Sequence, residues 1–217
     1  MPEAVVFDMD GVLLDSEQLW NHSKEEVVGE TGGRWRDDAP RTMMGMSSRE
    51  WSAYLRDELG VDLGVDEINR AVVQRMERHY REGLPLLPGA VDAVGRLHRS
   101  WPLALASSAN REIIDLALEV AGLSGEFEAT VSSEEVEHGK PAPDVYLEAA
   151  RRLGADAERC VAIEDSSNGL RSARAAGMAV IAIPNEHYPP DEDALALAAA
   201  VVHALDEITP ELVERLR

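Results

Sequence analysis

Apolar runs in this chain are short and end abruptly in polar clusters. Ala4-Val5-Val6-Phe7 empties into Asp8-Met9-Asp10-Gly11, Leu103–Ala106 into Ser107-Ser108-Ala109-Asn110, and Cys160–Ile163 into Glu164-Asp165-Ser166-Ser167. A fourth run, Met178–Ile183, stops at Pro184-Asn185. Short apolar runs bounded by turn-forming residues predict buried strands. Helical periodicity lies between them, over Ala90–Arg99, Arg111–Ala121 and Asp144–Leu153, and from beyond Gly169 to about Ala176. Alternation of buried strands with helices predicts an α/β fold, a Rossmann-like parallel sheet with helices on both faces. In such sheets the site lies beyond the carboxyl ends of the strands, where each polar cluster stands.

Residues 16–83 break this rhythm. Ser16–Thr31, Ser47–Leu59 and Asp66–Glu82 carry helical periodicity, punctuated by Gly32-Gly33, Pro40 and Gly60, with no strand pattern. Leu84-Pro85-Leu86-Leu87-Pro88-Gly89 returns the chain to the α/β pattern. The expected organisation is a core of 1–15 and 84–217 with a helical unit, 16–83, inserted after the first strand.

Charge narrows the partners. Forty-one acids against 21 Lys and Arg give a formal charge of −20, the opposite of what a phosphate backbone or anionic membrane attracts. The longest wholly apolar stretch, Ala194–Val202, has nine residues where a membrane span needs about 20. The start of the chain lacks the pattern of a secretory leader. A cytoplasmic protein is expected, monomeric or weakly dimeric, with no nucleic-acid or membrane partner. The lone cysteine, Cys160 at a strand start, excludes an internal disulfide and reads as a packed thiol. The six histidines show no metal-ligand spacing. Only two lysines, Lys24 and Lys140, stand among the 21 basic residues.

Asp8 and Asp10 are the first candidates for chemistry. Two carboxylates so close repel unless a cation or a shared proton intervenes, and a hard divalent cation suits them. Asp8 is then a possible nucleophile and Asp10 a proton carrier, although a cap and a turn acid beside Gly11 fit the same pair. Glu164-Asp165 repeats the arrangement at another strand end, where helix capping is the competing reading. Ser107 and Ser108 suit either a helix cap or an anion cradle of hydroxyls and backbone N–H groups. Lys140 sits in Gly139-Lys140-Pro141, a stiff setting for a single cation.

In their order, Val6-Phe7-Asp8-Met9-Asp10-Gly11-Val12, Ala106-Ser107-Ser108, Gly139-Lys140-Pro141 and Ile163-Glu164-Asp165-Ser166 resemble the four signature motifs of the haloacid dehalogenase superfamily. The helical insertion resembles the cap of its subfamily I, which holds sugar-phosphate phosphatases and β-phosphoglucomutases. The resemblance implies that Asp8 attacks phosphorus to give an aspartyl-phosphate and that Asp10 protonates the leaving oxygen, then deprotonates water. It implies Mg²⁺ held by the Asp8 side chain, the Asp10 backbone carbonyl and Asp165, with Glu164 beside them. It also implies that Ser107, the neighbouring backbone N–H groups and Lys140 hold phosphoryl oxygens, with Ser108 and Asn110 as further candidates for phosphate or substrate binding. Dehalogenation is disfavoured, because the family's dehalogenases lack an aspartate at the position of Asp10.

The expected activity is Mg-dependent hydrolysis of a small phosphomonoester, a sugar or polyol phosphate. The alternatives are a β-phosphoglucomutase-like mutase and a non-catalytic phosphate sensor. Gly45-Met46-Ser47-Ser48-Arg49-Glu50 resembles the mutase cap segment, so Arg49 is a candidate for the substrate's far end. Against the mutase, Trp20 and Met76 match its cap histidine and lysine, and neither exchanges protons or carries charge. Asp15-Ser16-Glu17-Gln18-Leu19-Trp20 instead resembles sugar-phosphate phosphatases, with Trp20 facing a sugar ring or filling the cap core.

Overall fold

The computed structural model describes residues 1–185 and 187–216. Among these, six strands form one parallel sheet: β1 (Ala4–Phe7), β2 (Leu103–Ser107), β3 (Ala129–Ser132), β4 (Cys160–Glu164), β5 (Ala179–Ala182) and β6 (Ala200–Val201). Their order across the sheet is β3-β2-β1-β4-β5-β6, so β1 lies between β2 and β4. After β1 come the helices α1 (Glu17–Glu30), α2 (Ala39–Met43), α3 (Ser48–Asp57) and α4 (Val65–Glu82). Those of the sheet region are α5 (Ala90–His98), α6 (Arg111–Ala121), α7 (Asp144–Leu153), α8 (Ser167–Ala175), α9 (Glu192–Leu195) and α10 (Pro210–Arg215).

Side chains of successive strand residues point to opposite faces, and this sheet sorts them by size. Val5, Phe7, Leu103, Leu105, Val161 and Ile163 pack on one face against Val94 and Leu97 of α5 and Ile113 and Ile114 of α6. Phe7 also meets Phe127 edge to face, with ring centroids 5.9 Å apart. Ala4, Val6, Ala104, Ala106 and Ala162 line the other face, beneath Val145, Tyr146 and Ala149 of α7 and Leu170 and Ala173 of α8. The small residues allow α7 to lie across β1, β2 and β3. Close approach there matters, because the turn leading into α7 carries Lys140.

Trp51, Leu55, Ile68, Val72 and Met76 of the inserted helices are buried, in an apolar cluster continuous with the one on the α5–α6 face of the sheet. Helix α4 packs against α1, α3 and the sheet-side helix α6. The chain leaves and re-enters the sheet region side by side: Asp15 N donates to Pro85 O at 2.8 Å and Leu87 N to Leu13 O at 2.9 Å. Two paired crossings of this kind make a narrow connection between α1–α4 and the sheet. No helix among the described residues is long and apolar enough to cross a membrane.

The apolar stretch after Ala194 does not form one element; α9 ends at Leu195, and the two-residue edge strand β6 begins at Ala200. Cys160 opens β4, 1% exposed, with its thiol donating to the Asp156 carbonyl at 3.3 Å. Burial, with smaller contributions from Glu3 and Asp156, pushes this thiol up to about 11. The thiolate is the reactive form, so Cys160 is expected to resist an aromatic disulfide reagent at pH 8 for hours. One equivalent should react at once in denaturant. Rapid labelling of the native protein would contradict this placement.

Candidate active site

Parallel register brings the strand ends together. Phe7 pairs with Leu105 on one side and Ile163 on the other, and Asp8 N donates to Ile163 O at 3.0 Å. Asp8 therefore arrives beside Glu164-Asp165, with Ser107 on its other flank. Lys140 reaches the same point from the turn before α7. Its ammonium lies 2.9 Å from Asp8 Oδ1 and 2.6 Å from Glu164 Oε1, and its side chain is only 2% exposed.

Glu164 is saturated. Its Oε1 also accepts from Tyr146 Oη at 2.8 Å, while Oε2 accepts from the backbone N–H of Asp165 at 2.9 Å and of Ser166 at 3.2 Å. A carboxylate with these partners holds the lysine in place. Burial works against the Lys140 charge, but Asp8 and Glu164 outweigh it and push its pKa up. Asp8 and Asp165 are pushed well above the usual carboxylate range, by burial first and then by Glu164. Three buried carboxylates thus share one ammonium.

Asp8, Glu164 and Asp165 each offer an oxygen, and these lie within 4.8 Å of one another. Hard oxygen donors, buried and short of positive charge, fit a divalent cation such as Mg²⁺. Two glycines make the space. A Cβ on Gly11, whose φ is +79°, would sit 1.9 Å from Asp165 Oδ2. A Cβ on Gly169 would sit 1.8 Å from Glu164 Oε1.

Asp10 faces elsewhere. Its Oδ1 accepts from Ser16 Oγ in a short contact and from Trp20 Nε1 at 3.0 Å, and its Oδ2 lies 3.5 Å from Ser107 Oγ. The side chains expected around the metal, Asp8, Glu164 and Asp165, are the three that lie together, and Asp10 was expected there only through its backbone carbonyl. The Asp10 carboxylate is held instead by the start of α1, in position to move a proton.

Other expected residues are distributed unevenly. Ser108 lines the cavity above Asp8, with its hydroxyl donating to Gly45 O at 3.2 Å, and Ser107 is buried beneath, accepting from Ala109 N at 3.0 Å. Trp20 lines the same cavity and meets Trp51 with ring centroids 6.3 Å apart. Asn110 does not line it. Its Nδ2 donates to Asn69 Oδ1 on α4 at 3.1 Å and to Glu134 Oε1 at 2.8 Å, so it ties the inserted helices to the sheet region. Arg49 is also elsewhere, exposed beside a separate cleft with Arg56, Asp66 and Glu137. The capping box of Ser47 and Glu50 starts α3 so that Trp51 and Leu55 turn inward. Arg49, two positions before Trp51, then lies about 200° around the helix.

Two cavity residues were not expected, Glu17 and Lys24. Glu17, Trp20, Asn21 and Lys24 follow an i, i+3, i+4, i+7 spacing and form one face of α1 over the cavity. That polar stripe was readable in the sequence, and one of the two lysines lies on it. Met76, expected to stand where a cap cation would be, is fully buried and accepts from Ser23 Oγ. A positive charge enters instead from α1, on Lys24. The cavity itself is small, about 60 Å³ in volume, and partly open to solvent.

Known proteins agree with this architecture. The family described as haloacid dehalogenase-like hydrolase matches residues 2–177. Hexitol phosphatase B of Escherichia coli is 33% identical over 219 residues, covering 95% of this chain and 94% of that protein. Protein CbbY of Rhodobacter capsulatus is 32% identical over 223 residues, covering 95% and 98%. The crystal structure of CbbY from Rhodobacter sphaeroides in complex with phosphate superposes with a TM-score of 0.86 at 30% identity, over 96% of each chain. With the strand-end carboxylates, Lys140 and a match spanning most of its length, the chain belongs to the haloacid dehalogenase-like hydrolase family, among its phosphoric monoester hydrolases.

Proposed function

We propose that this protein hydrolyses a small carbohydrate phosphomonoester by way of a phosphorylated Asp8. The observation that carries the reading is the pairing of two differently held aspartates, Asp8 against Lys140 and Asp10 against Ser16 and Trp20. One is set for attack and the other for proton transfer. Likeness to hexitol phosphatase B supports a polyol or sugar phosphate as the substrate class.

An Asp8 carboxylate oxygen forms a bond to phosphorus as the ester P–O bond breaks, and Asp10 gives its proton to the departing alkoxide. Water then attacks phosphorus, Asp10 takes its proton, and the bond to Asp8 breaks to release inorganic phosphate. Lys140 and the Ser107–Ser108 turn hold phosphoryl oxygens during both transfers. Mg²⁺ bound at the Asp8, Glu164 and Asp165 carboxylates, Glu164 chiefly through its charge, would offset repulsion between substrate phosphate and acids. The helices of 16–83 act as a cap, opening at the paired crossings to admit substrate and closing to exclude bulk water. Trp20, which matches the mutase's cap histidine, donates to Asp10 without being able to take a proton from it, so the base that a mutase's cap sets against its acid–base aspartate is not supplied at that position. Hydrolysis is favoured over mutase chemistry on that ground.

Asp8→Asn should lower phosphate release from hexitol and hexose monophosphates by about 10³-fold or more, a loss of roughly 4 kcal/mol in barrier lowering. It should retain the fold, because it removes a buried charge. Substantial turnover by this variant, or trapped phosphate on another side chain, would remove Asp8 from its role. Gly11→Ala tests the carboxylate geometry. The strained φ and the clash with Asp165 should cost about 1–3 kcal/mol of stability and raise the Mg²⁺ concentration needed for half-maximal activity. Wild-type Mg²⁺ dependence in that variant would contradict the close packing of Gly11 on Asp165. Glucose 1-phosphate with a trace of the 1,6-bisphosphate should yield free phosphate at least as fast as glucose 6-phosphate. Accumulation of glucose 6-phosphate alone would establish the mutase.

A further inference from the structure

Lys24 is a buried ammonium with no carboxylate at ion-pair distance among the described residues. It is 6% exposed, and among the described residues it forms neither an ion pair nor a hydrogen bond. Its direct contacts are aromatic faces, with Nζ 5.6 Å from the centroid of Trp20 and 5.2 Å from that of Trp51. Burial of a charge without a partner is unfavourable, and it persists where a ligand completes it. Burial draws its pKa down to about 8, against the pull of Glu17 and Asp10. Seven residues earlier on the same face of α1, Glu17 is likewise without a hydrogen-bond partner among the described residues.

We propose that Lys24 is the specificity-determining residue of this active site, donating with Glu17 as acceptor to the hydroxyls of an uncharged polyol or sugar tail. The proposal rests on the phosphatase reading and names the part of the substrate that the cap reads. A hydroxyl both donates and accepts, so a lysine, which only donates, and a carboxylate, which only accepts, suit neighbouring hydroxyls. The Trp20 and Trp51 rings supply apolar faces for the C–H edges of such a tail.

The same surroundings reject a second phosphate. Of the cations lining the cavity, Lys140 is engaged by Asp8 and Glu164, which leaves Lys24 alone. A distal phosphate beside Lys24 would also lie close to the acidic side chains of Asp10 and of Glu17, which burial pushes up to about 7, and Arg49 opens to another cleft. Monophosphates with several free hydroxyls are therefore selected over bisphosphates.

Lys24→Met and Lys24→Gln, with Lys24→Arg as the charge-retaining variant, test this through kcat/KM at saturating Mg²⁺. The probes are a hexitol monophosphate, a hexose bisphosphate and p-nitrophenyl phosphate. Wild type should prefer the hexitol monophosphate to the bisphosphate. Lys24→Met and Lys24→Gln should lose at least ten times more activity on the hexitol monophosphate than on the aryl phosphate, about 1.4 kcal/mol, chiefly through KM. Lys24→Arg should recover part of that difference. Equal losses on both substrates, in variants whose melting temperatures show a retained fold, would overturn the proposal, because they mark a structural role. A wild-type preference for the bisphosphate that disappears in Lys24→Met would also overturn it, making the lysine a reader of a second phosphate. Absence of phosphate release from every probe by wild type would instead defeat the phosphatase reading, and the proposal with it.

Discussion

Three carboxylates and one ammonium packed out of water at the carboxyl ends of β1 and β4 set the terms for the rest of this molecule. Asp8, Glu164 and Asp165 are each no more than 6% exposed, and Lys140 alone offsets them. Buried like charges repel strongly because little solvent screens them. The surrounding sequence answers that repulsion with placement. Gly11 and Gly169 give way to two of the carboxylates, Tyr146 and two backbone N–H groups cover Glu164, and small alanines bring α7 and the Lys140 turn close to the sheet. None of these features serves stability best, since an apolar replacement for a buried ion cluster is often as stable or more so. The arrangement is kept for what it binds.

The second aspartate belongs to the cap as much as to the sheet. Asp10 is held by Ser16, at the start of α1, and by Trp20, on α1, so in the proposed mechanism the proton carrier would take its orientation from the element that covers the substrate. Closing and acid–base readiness are thereby linked. The seam around the cavity consists largely of polar ties, such as Ser108 to Gly45, Asn168 to Met44 and Asn110 to Asn69. Ties of this kind exchange readily for water, as opening requires. In the proposed mechanism this seam is where the inserted helices part from the sheet region to admit a carbohydrate phosphate.

The sequence disclosed the sheet's centre because buried strands ending in acids leave a pattern that no helix produces. Asp8, Glu164 and Asp165 could be placed together from the order of runs and the rule for parallel sheets. The edge strands were less legible. Ala129-Thr130-Val131-Ser132 is four residues of mixed polarity, and β6 is two residues, so their strand character comes from pairing with β2 and β5. Rotation about a helix axis was the other weak point. Arg49 and Asn110 stood in the right segments, but the capping box of α3 and the start of α6 turn them to the outside and to the seam. Lys24 was overlooked for the opposite reason. Its significance depends on the spacing that joins it to Glu17, Trp20 and Asn21, and a polar stripe beneath a cap resembles an ordinary solvated face.

The central claim is that the carboxylate cluster stays short of positive charge until a divalent cation binds, and thermal unfolding with and without Mg²⁺ tests it most directly. At a free Mg²⁺ concentration 100 times the dissociation constant, binding to the folded state should add about 2.7 kcal/mol, or roughly 5–10 °C in melting temperature. Asp165→Asn should lose most of that shift. Because burial and Glu164 raise the pKa values of Asp8 and Asp165, calorimetric titration should show proton release on cation binding that grows as the pH is lowered. Identical melting curves in millimolar Mg²⁺ and in EDTA, with no proton release, would contradict the account.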